Sequence, residues 1–149
     1  MTSHKEGSST KVASFYMADQ YTYYFWLYYK ELKAYGFDIV STKGDRFDRN
    51  WLRDHRGKIS IIHFHWPSYV YTQKKLITFA VELSKFIANL VYARRIGYKI
   101  AWTVHNLYPH ERNNPLLEYL ARFSLAHLAH ILFGSSQEFV RKGRFGEFA

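Results

Sequence analysis

Short apolar runs alternate with longer amphipathic stretches along this chain, and the alternation predicts strands and helices in turn. Val12–Met17 is the first apolar run. Tyr23–Tyr35 follows with helical spacing and stops at Gly36, a residue suited to the left-handed turn that closes a helix. Phe37–Thr42 reads as a second strand, and Asp45–Gly57 as a short helix or a loop. Ile59–Phe64 is a nearly continuous apolar run, as expected of a strand buried on both faces. Thr72–Ile96 is the clearest helix, with Leu76, Phe79, Ala80, Leu83, Phe86, Ile87, Leu90 and Val91 at three- and four-residue spacing and Gly97 at its end. Lys99–Val104 is the fourth strand. Pro115–Ala129 is a helix, with Pro115 near its first position and Leu116, Leu120, Phe123 and Leu128 as its apolar stripe. His130–Phe133 is the fifth strand, and Ser135 or Ser136 can cap a last helix through Arg141. Five strand–helix alternations predict an α/β fold: a Rossmann-like parallel sheet of about five strands with helices on both faces.

Composition adds limits. A chain of 149 residues is sized for one domain with a real core. Met1–Lys11 is polar and rich in Ser, Thr and Gly, so it reads as a disordered lead-in. Residues 12–142 then form the domain, without repeats or a dividing linker. Residues 143–149 follow the fifth strand–helix unit as a tail, and the expectation is that further sequence once followed. The absence of cysteine excludes disulfides and thiolate zinc sites, and fits a reducing, cytoplasmic setting. The net charge of +9 implies attraction to an anionic partner, a phosphorylated ligand, an acidic membrane face or nucleic acid, or else simply a soluble charged surface. No segment reads as transmembrane, because Leu76–Ile96 is interrupted by Glu82, Lys85, Arg94 and Arg95. The aromatic block Tyr21–Tyr29 carries Tyr24, Trp26 and Tyr28, which cannot all face a core. With Lys30 and Lys33 beside it, this helix can lie on a membrane interface, pack under a second domain, or be an ordinary amphipathic helix.

The candidate chemistry sits where two strands end. Ile61-Ile62-His63-Phe64-His65-Trp66-Pro67 and Ile100-Ala101-Trp102-Thr103-Val104-His105-Asn106-Leu107-Tyr108-Pro109-His110-Glu111 each pass from apolar residues to imidazole and amide groups. Ligands of open parallel sheets bind at the carboxyl ends of strands. His105 and Asn106 can therefore contact a ligand, or cap loop backbone. His63 and His65 alternate, so they share a face. Their His-x-His spacing is also a metal-ligand pattern that His105, His110 and Glu111 can complete. The loop after the first strand, Ala18-Asp19-Gln20-Tyr21-Thr22, has no glycine, which argues against a GxGxxG dinucleotide site or a P-loop.

The two strand-end motifs resemble the N-terminal, acceptor-side half of GT-B glycosyltransferases of the family-4-like group, with their HxHWP and WTVHN…PHE signatures. The resemblance runs from Val12 to Arg141, and the Ala34–Val40 stretch and Ser135-Ser136 agree with it. It implies retaining transfer of a sugar from a nucleotide-sugar donor to a polysaccharide or lipid-linked acceptor, with no metal and no cofactor beyond the donor substrate. It makes His105 the catalytic candidate. Asn106, His65 and Trp66 become substrate-binding residues on the same cleft, and His110, Glu111 and Arg112 follow on the loop beyond. Arg112 is the candidate cation for an anionic donor or a pyrophosphate-linked acceptor. Relatives often carry glycines after the first strand; here Asp19 and Gln20 take those positions. The donor-binding C-terminal domain of the family is not in this sequence, so the resemblance implies that the chain alone does not complete the reaction. The partners so implied are a nucleotide sugar, a carbohydrate or lipid-linked acceptor, the missing domain or a partner chain, and an anionic membrane surface at the inner face; nucleic acid is not among them. The alternatives are a split or non-catalytic subunit that needs a partner chain carrying the donor site, and a metal-dependent hydrolase built on His63, His65 and His105.

Overall fold

Each apolar run that predicted a strand forms one. In the computed structural model, which describes residues 9–15, 23–105 and 114–134, these are β1 (Thr10–Phe15), β2 (Phe37–Ser41), β3 (Ile61–Phe64), β4 (Lys99–Val104) and β5 (Ile131–Gly134). Between them lie α1 (Tyr23–Ala34), α2 (Arg49–Asp54), α3 (Ser68–Tyr71), α4 (Leu76–Arg95) and α5 (Pro115–Leu128). All strand pairs are parallel, in the order β2-β1-β3-β4-β5. The chain reverses its direction across the sheet once, between β1 and β3, and the crevice beyond the carboxyl ends of those strands is the topological switch point. The lead-in before residue 9, the tail after residue 134, and Asp19, Gln20, Asn106, His110, Glu111, Arg112, Ser135 and Ser136 lie outside the described residues.

The sheet has two unlike faces. Alternation turns Ala13, Phe15, Ile62, Phe64, Ile100, Trp102 and Val104 to one side. There they form the main core with Trp51 and Leu52 of α2, Tyr71 of α3, Phe79, Leu83, Phe86 and Leu90 of α4, and Ala121 and Leu125 of α5. Edge-to-face ring pairs fill this layer, with Phe15 and Trp51 at 4.7 Å and Phe47 and Phe64 at 5.0 Å between centroids. The opposite face carries Val12 and Ser14, Ile61 and His63, Ala101 and Thr103. On β1, β3 and β4 the polar Ser14, His63 and Thr103 lie towards the carboxyl ends, and Phe133 of β5 lies beside His63 with ring centroids 5.8 Å apart. Helix α1 packs on this second face, close to β2.

Three local features depart from the sequence reading. The helix expected over Thr72–Ile96 forms as α4 but starts only at Leu76, because the backbone at Thr72 and Lys75 is extended, and the short helix α3 before it was not expected. Leu76 lies on the outside of α4, which buries Phe79, Leu83, Phe86, Leu90 and Ala93 instead. The apolar stripe expected to bury α5 points outward: Leu116, Leu120 and Phe123 are exposed, and Glu118, Ala121 and Leu125 face in. The cause is Glu118, whose carboxylate accepts hydrogen bonds from Tyr71 Oη at 3.4 Å and Thr72 Oγ1 at 3.1 Å. Burial raises the Tyr71 hydroxyl above its ordinary value, and the Glu118 charge adds to the effect. Satisfying a buried carboxylate fixes the rotation of the helix more strongly than turning one more leucine inward. Finally, α4 carries only Glu82 and Lys85 between Leu76 and Ala93, and by length and composition it is apolar enough to cross a membrane, contrary to the expectation that its charges disqualify it. Its inner stripe is part of the core described above.

Candidate functional site

The polar end of the second face gathers three histidines. His63 and His65 project from the end of β3 to the same side, as their spacing requires, with ring centroids 4.2 Å apart. Both are 2 % exposed. His63 Nε2 lies 2.8 Å from Thr103 Oγ1 on the neighbouring β4. His105, immediately past β4, is half-buried, and its Nε2 lies 3.3 Å from His65 Nδ1. Trp66 stacks on the His105 ring at 4.4 Å with the planes 12° apart. Tyr28 of α1 covers the pair from the helix side, 5.8 Å from the His63 ring and 5.9 Å from that of His65.

From His65 the contacts continue inward. His65 Nε2 is 3.1 Å from the hydroxyl of Tyr29, which in turn lies 2.6 Å from Ser14 Oγ on β1. Thr42, just beyond β2, donates its hydroxyl to the Ser14 carbonyl at 2.5 Å. A continuous row of hydrogen-bonding groups thus runs Ser14–Tyr29–His65–His105, across β1, α1, β3 and the end of β4. Two proton arrangements satisfy all three contacts of the row. In one, Nε2–H of His105 donates to His65, His65 donates to Tyr29 and Tyr29 to Ser14; Nδ1 of His105 then carries a lone pair. In the other, every bond reverses, and Nδ1 of His105 carries the proton.

Burial keeps these imidazoles neutral. It pushes His63 down to about 4, with the nearby His105 adding to the effect. It pushes His65 lower still, helped by His63 and then His105, and it lowers His105 as well. At neutral pH the cluster is therefore an uncharged hydrogen-bonding site beside an indole face. It offers no cation for a phosphate; of the candidates for that role, Arg112 lies outside the described residues.

The arrangement corrects one expectation. His63 Nε2 is directed at Thr103, and both nitrogens of His65 are directed at Tyr29 and His105. Among the described residues no three His, Cys, Asp or Glu side chains are placed to hold one ion. The ligand set of the hydrolase alternative is thus not assembled by His63, His65 and His105. Of the sequence-predicted site residues, the structure brings together His65, Trp66 and His105, with His63 behind them. Asp19, Gln20, Asn106, His110, Glu111 and Arg112 lie outside the described residues. Ser14 and Tyr29 were not singled out from the sequence, and Thr103 only as the start of the run into His105 and Asn106. Ser14 is the one hydroxyl between Val12 and Tyr16, and Thr103 lies two residues before His105, so both carried a weak signal; Tyr29 carried none beyond its aromatic block.

No family model, curated protein or solved structure matches this chain.

Proposed function

We propose that this domain forms the acceptor side of a GT-B glycosyltransferase, which moves a sugar with retention from a nucleotide-sugar donor to a polysaccharide or lipid-linked acceptor. The observation that carries the reading is His105: it stands past the carboxyl end of β4, hydrogen-bonded through His65 and stacked on Trp66. A sugar ring presents hydroxyls at its rim and C–H groups on its faces. A neutral imidazole beside an indole meets both demands, the first by hydrogen bonding and the second by apolar contact. The switch-point crevice is also where a parallel sheet of this order receives ligands. In this reading His105 contacts the reacting sugar, and His65 and Tyr29 fix its tautomer and ring plane. Sugar transfer develops positive charge on the ring and negative charge on the departing diphosphate. The uncharged histidine cluster suits the first, while the second falls to the donor-binding half and to Arg112.

The test is sugar transfer by the chain in combination with its donor-binding half, with and without His105→Ala. The expected result is loss of transfer with the fold retained and a modest drop in thermal stability, since the variant also removes the His105 contact to buried His65. Transfer at the parental rate by the variant overturns the reading.

A further inference from the structure

We propose that the outward face of α4 and α5 is a docking surface for an anionic membrane. The rotation imposed by buried Glu118 leaves α5 with its large apolar side chains in solvent: Leu116 is 66 %, Tyr119 53 %, Leu120 41 % and Phe123 45 % exposed. Their spacing of three and four places them on one face. The charged residues of α5 are Glu118, which is buried, and Arg122, which is half-buried, so the outward face carries neither. The rings of Tyr119, Phe123 and His127 succeed one another along it, with centroids 6.0 Å and then 4.0 Å apart. Helix α4 packs alongside and contributes Ile77, 79 % exposed, and Val81, 46 % exposed. Single exposed apolar residues are ordinary; a contiguous apolar row on α5, extended by Ile77 and Val81 of α4 with the Glu82–Lys85 ion pair beside them, marks an interaction surface.

Charge identifies the occupant. Exposed Lys74 and Lys75 precede α4, and exposed Arg94 and Arg95 close it. Arg94 also donates to the carbonyls of His127 and Leu128, at 3.2 and 2.8 Å, which places a cation at the far end of α5. The acidic residue of α4, Glu82, is paired with Lys85 at 2.7 Å. An apolar centre with basic ends, on a chain of net charge +9, complements a surface that is apolar inside and anionic at its rim. A second copy of this chain fits poorly, because a twofold contact sets these cations against themselves. A folded protein partner would expect directional hydrogen bonds, of which this helical face offers few, whereas a bilayer makes no such demand. The docking itself does not depend on the sugar-transfer reading.

The test is co-sedimentation of the purified 149-residue chain with phosphatidylglycerol–phosphatidylcholine vesicles and with pure phosphatidylcholine vesicles. Binding to the anionic vesicles that weakens with salt is expected. Leu120→Glu with Phe123→Glu is expected to weaken it roughly tenfold or more at an unchanged thermal melt. Leu116→Ser serves as the milder variant should the double substitution disturb the fold, and it is expected to weaken binding in the same direction. A parent that ignores anionic vesicles overturns the proposal. So does loss of binding in Lys30→Glu with Lys33→Glu but not in the α5 variants, which moves docking to α1. Concentration-dependent dimerisation abolished by the α5 variants assigns the face to a second copy and likewise overturns it.

Discussion

His63 makes folding sensitive to acid by a calculable amount. Its ring is 2 % exposed, and burial, with His105 nearby, pushes it down to about 4 from the ordinary 6.5. The unfolded chain accepts a proton near 6.5 that the folded chain refuses until about 4, so acid favours the unfolded state throughout that window. The stability is complete above about pH 7.5 and declines as pH falls through 6.5. At pH 5 the two values, 6.5 and about 4, correspond to about 2 kcal/mol lost from this residue alone. That is a substantial part of the roughly 5–15 kcal/mol that holds a domain together. His65 and His105 are lowered too, so their contributions have the same sign. His63→Gln keeps a hydrogen-bonding group for Thr103 but takes up no proton. The assay is urea denaturation of parent and variant at pH 7.5, 6 and 5. The variant starts less stable because its side chain packs differently. Between pH 7.5 and pH 5, however, it is expected to lose about 2 kcal/mol less than the parent. A variant whose stability falls as steeply as the parent's refutes the assignment of His63 as a buried neutral base.

Two further substitutions test the surrounding contacts. Tyr29→Phe removes the hydroxyl between Ser14 and His65, and is expected to cost about 0.5–1.5 kcal/mol. It is also expected to change the imidazole nitrogen shifts of both His65 and His105; a His105 signal that does not move contradicts the four-group row. Glu118→Ala leaves the hydroxyls of Tyr71 and Thr72 without their carboxylate, and is expected to cost about 1–3 kcal/mol in urea denaturation. Glu118→Gln is expected to cost less. An alanine variant as stable as the parent contradicts the role given to Glu118 in setting the rotation of α5.

The strands were legible because a parallel sheet covered on at least one face by helices needs short, nearly unbroken apolar runs. Ile59–Phe64 and Lys99–Val104 are such runs, ended by polar residues where the sheet ends. The histidines were legible for the same reason: polar groups appear abruptly at strand ends, and alternation sets His63 and His65 on one face. The orientation of α5 was not legible. Its leucines and phenylalanine repeat with the period of a core helix, while the residues that hold Glu118 inward are Tyr71 and Thr72, 47 and 46 positions away in sequence. The later start of α4 was hidden likewise, since Thr72 is extended where it meets Glu118. Ser14 and Tyr29 join the site only because α1 crosses the second face of the sheet, a tertiary fact that no local pattern records.

The proposed sugar transfer requires the carboxyl-edge cluster to bind sugar through His105 and Trp66. The most direct measurement is the nitrogen and proton NMR of the histidine and tryptophan side chains during titration with a panel of oligosaccharides and nucleotide sugars. Saturable shifts at His105, His65 and the Trp66 indole are expected for at least one saccharide, absent in His105→Ala. Saturable shifts confined to residues away from this cluster, or none across the panel, contradict it.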